Sequence, residues 1–132
     1  GGPMEKFLPL INRENCCKIW LKDIIYLENE SRMVHIVTTK GCYHEYAKLS
    51  DLLQYFSGEP CFFSAMKRLI VNFDHVSSMK NQVICFSDGT EYPLGRVNYL
   101  KTKQTFVNYM LNSPGRNRFT KEPAKADPKK TC

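Results

Sequence analysis

The sequence predicts a mainly β, antiparallel fold with one short internal helix and a second helix near its C-terminal end. Three observations carry that reading. Short runs rich in Val, Ile, Phe, Tyr and Cys recur between residues 7 and 94, each the length of a strand and of a composition that suits a pleated, half-buried surface. Turn pairs separate them, Lys40-Gly41 and Asp88-Gly89 being the clearest, and Asp-Gly tolerates the positive φ that a type I′ hairpin needs at both central residues. Beyond Val97 the apolar spacing lengthens toward 3.6 residues, the period of a helix.

The elements follow in order. Gly1-Gly2-Pro3 ahead of Met4 reads as an expression-tag remnant (residues 1–3) and is set aside, leaving residues 4–112 as the folded part. Phe7 to Ile11 is a first strand, closed by the turn cluster Asn12-Arg13-Glu14-Asn15. Cys17 to Leu21 is a second, with Trp20 as its expected core anchor, and Lys22-Asp23 turns the chain into Ile24 to Leu27. Glu28 to Arg32 is polar and reads as a loop, after which Met33 to Thr39 and Cys42 to Ala47 make a hairpin on Lys40-Gly41. Ser50 suits the N-cap of a helix of about two turns over residues 51–56, with Asp51 favourable in the first turn and Gly58 placed to end it.

Leu69 to Phe73 is a buried strand, and Lys67 and Arg68 stand just before it. Burying an unpaired cation costs several kcal/mol, so both heads belong in solvent or against an anion. Val76 to Met79, the turn Lys80-Asn81-Gln82, Val83 to Phe86, the Asp88-Gly89 hairpin and Glu91 to Leu94 complete the β part. Pro93 cannot donate to a ladder and so marks an edge, leaving Arg96 exposed. Val97, Leu100, Val107, Met110 and Leu111 form the expected apolar stripe of the last helix, which stops before Ser113-Pro114-Gly115. Residues 113–132 are basic, with three prolines and little apolar weight, and are expected to be disordered.

At 132 residues, 42% hydrophobic and 24% charged, the chain has the composition of one globular domain. No apolar run approaches the ~18 residues of a membrane span and no leader pattern opens it, so a cytoplasmic location with no membrane partner is expected. In that setting the six cysteines, at 16, 17, 42, 61, 85 and 132, are expected to be free thiols. Net charge is +6, yet residues 113–132 hold six basic and two acidic side chains, so most of the excess lies on the tail. Charge alone is therefore weak grounds for a polyanionic partner.

Catalytic chemistry finds little support. Cys42-Tyr43-His44 puts two ligand types on one face of a strand, but a closed zinc site needs four ligands and no CxxC or HxxxH pair is present. The simpler reading packs Cys42 and exposes His44. Cys61 and Cys85 have no histidine base near them in sequence, Asp74-His75 would point to opposite faces of an extended chain, and no phosphate-binding glycine loop exists. Neither an enzyme nor a metal or cofactor is expected. The basic residues Arg32, Lys67, Arg68 and Arg96 lie at strand and loop ends, where any one of them alone is more often a solvated charge.

Taken together, however, the run Lys67-Arg68-Leu69-Ile70-Val71-Asn72-Phe73-Asp74-His75-Val76, then Asp88-Gly89, then Pro93-Leu94-Gly95-Arg96 resembles the LytTR family of bacterial DNA-binding domains. Asp23-Ile24-Ile25-Tyr26-Leu27-Glu28 is similar to that family's opening strand, and Tyr46 to Leu53 to its short helix. The resemblance spans residues 17–105 and implies an elongated stack of small antiparallel sheets whose loops enter the major groove. It implies a sequence-specific regulator of transcription, bound to double-stranded DNA as two copies on direct repeats. An upstream receiver domain or a sensor kinase, not present in this chain, is a further implied partner. Carried over by position, Arg96 reads a base, and Ser31 and Arg32 occupy a second reading loop, with Asn29 as an alternative. Lys67 and Arg68 hold phosphates, and Asn98, Lys101 and Lys103 add backbone contacts. The chain departs from the common pattern at Ser64, Met66, Arg68 and Gly95, where Arg, His, Ser and Ser are usual.

Two rival readings stand beside this one. A protein-interaction module would use the same scaffold, with an exposed strand edge accepting a partner strand and the cations serving solubility. A single-stranded nucleic-acid binder would stack bases on Tyr43, Tyr46 and Tyr55. Those aromatics alternate with polar residues as core positions do, which ranks that reading last.

Overall fold

A computed structural model describes residues 5–112; the expected tag remnant and basic tail lie outside them. The backbone divides at Asp74/His75 into two compact units.

The first unit opens with the hairpin of β1 (Phe7–Ile11) and β2 (Cys16–Trp20), in register from Phe7 opposite Trp20 to Ile11 opposite Cys16. Its turn is closed by Asn12, whose Oδ1 accepts the backbone N–H groups of Glu14 (3.0 Å) and Asn15 (2.9 Å). Strand alternation sends Leu8, Leu10 and Ile19 inward. Trp20 falls on the other parity and is only half-buried, so it is not the core anchor expected; its ring meets Phe7 edge-on at 5.4 Å, with Lys18 Nζ 4.7 Å above the Phe7 ring.

β3 (Ile24–Glu30), β4 (Met33–Thr38), β5 (Gly41–Tyr46), β6 (Phe62–Met66) and β7 (Leu69–Asn72) form one antiparallel sheet in the order β5-β4-β3-β7-β6. Glu28 to Glu30 belong to β3 rather than to a loop, leaving Ser31-Arg32 as a two-residue turn between the paired residues Glu30 and Met33. Ser31 takes φ 61° there. Likewise Lys67-Arg68 is the two-residue turn between Met66 and Leu69, and β6 is a strand that sequence reading did not separate from its surroundings. All four residues of β7 are buried, as its Leu-Ile-Val composition demands.

Helix α1 (Leu49–Leu52) continues as a 3-10 turn over Leu53–Phe56, close to the expected span. Its N-cap is Lys48, without a side-chain cap bond, and not Ser50, which lies inside the first turn. Gly58 follows at φ 79°, a conformation open to glycine at little cost. The core of this unit gathers Leu8, Leu10, Ile24, Leu27, Val34, Ile36, Leu52, Phe56 and Ile70.

The second unit holds β8 (Val76–Lys80), β9 (Val83–Phe86) and β10 (Glu91–Pro93) in the order β10-β9-β8, followed by α2 (Arg96–Asn112). The turn with positive φ at both central residues is Asn81-Gln82 (55° and 61°), between the paired Lys80 and Val83. Asp88-Gly89 also joins two strands, but Asp88 is not at positive φ, so the turn is not the type I′ pair expected. It is wider because Phe86 N–H donates to the Thr90 carbonyl (2.8 Å) while Asp88 accepts both the backbone N–H (2.9 Å) and the hydroxyl (3.0 Å) of Thr90. Pro93 ends β10 on a sheet edge, as its missing N–H requires.

Helix α2 is where sequence reading chose the wrong face. Its buried residues are Tyr99, Thr102 and Phe106, whereas Val97, Leu100, Met110 and Leu111 are exposed. Two stripes compete in this helix, and the one carrying two aromatic rings removes more apolar area from water.

Candidate nucleic-acid interface

The register of the five-stranded sheet decides which of the candidate residues meet. β3 and β7 are antiparallel neighbours with Glu28 opposite Leu69, so the turn after β3 and the turn before β7 fall at the same end of the sheet. Ser31-Arg32 and Lys67-Arg68 are thus adjacent hairpin tips, and all four residues are exposed. Asn29 N–H donates to the Arg68 carbonyl at 3.0 Å and fixes the spacing of the two tips. The end of β5 reaches the same place, since Ala47 N–H donates to the Arg32 carbonyl at 3.2 Å. Lys48 follows it, exposed, one residue ahead of α1.

Lys48 is the cation that sequence reading missed. Its signal was its place directly after a strand ending and ahead of a helix start, at the sheet end where the two tips emerge. Arg32, Lys48, Lys67 and Arg68 gather there, with Glu30 turned to His35 (Oε1 to Nε2, 3.0 Å).

The Asn29 side chain is engaged within the protein. Its Nδ2 donates to the Met33 carbonyl at 3.0 Å and its Oδ1 accepts the Leu49 N–H at 3.3 Å. The amide therefore braces the Ser31-Arg32 turn against the start of α1. Ser64, where arginine is usual, spends its hydroxyl on the Met66 carbonyl at 3.1 Å, beside the irregularity in register at the end of β6.

In the second unit, Arg96 is the first residue of α2 and its side chain is exposed. Gln82 positions the segment before it twice over: the Gln82 carbonyl accepts the Leu94 N–H (2.9 Å) and its Nε2 donates to the Leu94 carbonyl (3.2 Å). The Gly95 carbonyl then accepts the Tyr99 N–H at 2.8 Å, opening the helix. No acid lies in the first turn, so the partial positive charge of the helix N-terminus adds to that of Arg96. At 100° per residue, Lys103 lies within roughly 20° of Arg96 around the axis, while Asn98 lies roughly 160° away. The four candidates on this helix are therefore divided: Arg96 and Lys103 share a flank, and Asn98 and Lys101 lie toward another. Lys103 Nζ also sits 5.9 Å from the Tyr99 ring.

Cys61 and Cys42 do not have the environment of nucleophiles. Burial, helped by the Asp74 and Glu59 carboxylates, pushes Cys61 up to about 12, and burial raises Cys42 as well. A catalytic cysteine needs the opposite shift. Cys42 is exposed rather than packed, as is His44, and among the described residues no three His, Cys, Asp or Glu side chains form a metal-binding group. No described helix is long and apolar enough to cross a membrane.

Comparison with known proteins bears on the fold and the family. Among solved structures, the chain superposes on the LytTr DNA-binding domain of a protein described as a methyl-accepting/DNA response regulator from Bacillus cereus. The TM-score is 0.63 at 13% identity, covering 79% of this chain and 98% of the other. At that identity the likeness speaks for the fold. No curated protein matches the sequence. The profile of the LytTr DNA-binding domain family matches residues 14–106, well over half of the chain, and the protein therefore belongs to the LytTr DNA-binding domain family.

Proposed function

We propose that this chain is the sequence-specific double-stranded DNA-binding part of a bacterial, cytoplasmic transcriptional regulator. The observation that carries the reading is the pairing of two exposed hairpin tips, Ser31-Arg32 and Lys67-Arg68, at one end of one sheet, linked by the 3.0 Å hydrogen bond from Asn29 N–H to the Arg68 carbonyl. Tips of this kind, rigid and cationic, fit a groove and its flanking phosphates. In this reading Arg96 forks onto guanine O6 and N7 in the major groove, the contact its guanidinium makes best. Arg32 and Ser31 read a second groove segment. Lys67, Arg68 and Lys48 bind phosphates, and Lys103 touches the backbone beside Arg96, while Asn98 and Lys101, on another flank of the helix, reach phosphates away from it. Two copies occupy direct repeats, and a receiver domain or sensor kinase supplies the signal.

Selection of bound sequences from a random duplex pool, at fixed near-physiological salt, tests it, with Arg96→Ala run in parallel. The expected result is a repeated motif in which the variant loses about 1–3 kcal/mol of discrimination at one base position. A folded protein that enriches no motif overturns the reading in favour of a protein-interaction module.

A further inference from the structure

The register of β4 against β5 sets His35 directly opposite His44, so both imidazoles rise from the same face of the sheet. Their ring centroids are 4.6 Å apart and their planes nearly perpendicular, at 87°. One row along, Cys42 Sγ lies 4.0 Å from His44 Nε2. On the other side, Glu30 Oε1 is 3.0 Å from His35 Nε2. A cavity of about 680 Å³ adjoins the pair and is lined by both histidines together with Arg13, Glu45 and Tyr46. None of these groups takes part in the DNA contacts proposed above.

We propose that His35 and His44 form a two-imidazole site for a borderline transition-metal ion such as Ni(II) or Zn(II), open to solvent in its remaining positions. Imidazole nitrogen is a preferred donor for both ions. A cross-strand pair in fixed register holds two such donors on one face before any ion arrives. Glu30 strengthens the case chemically. A carboxylate on one ring nitrogen of a histidine fixes the tautomer and raises the basicity of the other nitrogen, the usual outer partner of a metal-bound imidazole. With Nε2–H directed at Glu30, His35 keeps Nδ1 as its donor. The site differs from a structural zinc centre because no third protein ligand already converges there, so the ion exchanges readily.

The test is a titration of the reduced full chain with nickel chloride, and with zinc chloride in parallel, followed through histidine ring resonances. The ring signals of His35 and His44 are expected to respond together with one ion per chain, with His75 unmoved. His44→Ala and His35→Ala each weaken binding at least tenfold, and Glu30→Gln weakens it about tenfold. His44 is exposed, so its loss leaves the fold intact; His44→Gln provides a second, isosteric check. Unchanged affinity in either His44 variant, a response confined to His75, or binding through cysteines alone overturns the proposal.

Discussion

Asn72 donates its side-chain amide to the carbonyl of Ile24, forty-eight residues earlier, across 2.8 Å in the interior of the first unit. Its Oδ1 accepts the Asp74 N–H at 2.9 Å, and the residue is 1% exposed. The bond has a specific task. β3 has a register irregularity between Ile24 and Tyr26, and its pairing with β7 stops at Tyr26 opposite Val71. Ile24 therefore has a carbonyl with no strand partner on the β7 side, and Asn72 supplies one. Removing the amide leaves a buried carbonyl unsatisfied, so Asn72→Ala is expected to cost about 1–3 kcal/mol. Urea unfolding checks this, and an unchanged midpoint would show that water can replace the amide.

Helix α2 gives a second stability contrast. Phe106 is 7% exposed whereas Leu111 is 72% exposed. Phe106→Ala is expected to lose about 3–5 kcal/mol, and Leu111→Gln to stay within about 0.5 kcal/mol. Thermal unfolding of the two variants decides between the faces: equal losses would mean that the aliphatic stripe is packed after all.

This helix also shows where the sequence was legible. Strands with strict alternation, such as Val34-His35-Ile36, were readable because a one-residue slip would expose every buried side chain. Turn pairs were harder. Ser31-Arg32 and Lys67-Arg68 lack the Asn-Gly signature, and the sheet imposes their geometry through pairing on both sides. Two amphipathic faces in one helix cannot be ranked without knowing what covers them. The candidate DNA residues were nominated one by one, chiefly through family resemblance. Their grouping was not, because it depends on β3 lying beside β7, a contact between residues about forty apart. Lys48 joins the group for the same reason.

That grouping makes an electrostatic prediction distinct from base reading. Lys48→Gln, Lys67→Gln and Arg68→Gln each remove a cation from one sheet end, so each is expected to lower DNA affinity alike on every sequence. Each should also reduce the slope of log K against log salt by about 1. Binding isotherms from low to physiological salt test it. A change in base preference without a change in slope would make the residue a reader instead.

Cys61 makes stability depend on alkaline pH. Burial above all, with the Asp74 and Glu59 carboxylates, raises its folded pKa to about 12 from an ordinary value of 9.0. Between those values the native state keeps a proton that the unfolded chain has released, so stability falls as pH rises. Below pH 9 both states are protonated and the contribution is fully retained. The limiting slope is ~1.4 kcal/mol per pH unit, but Cys61 is only half-buried and solvent screens part of the effect, leaving a total loss on the order of 1 kcal/mol. Cys61→Ala should therefore show a shallower decline than the parent chain in urea midpoints measured from pH 8 to 11, with the difference absent at pH 8. Parallel curves across that range would show that the thiol is solvated in the native state and that its neighbours do not hold its proton.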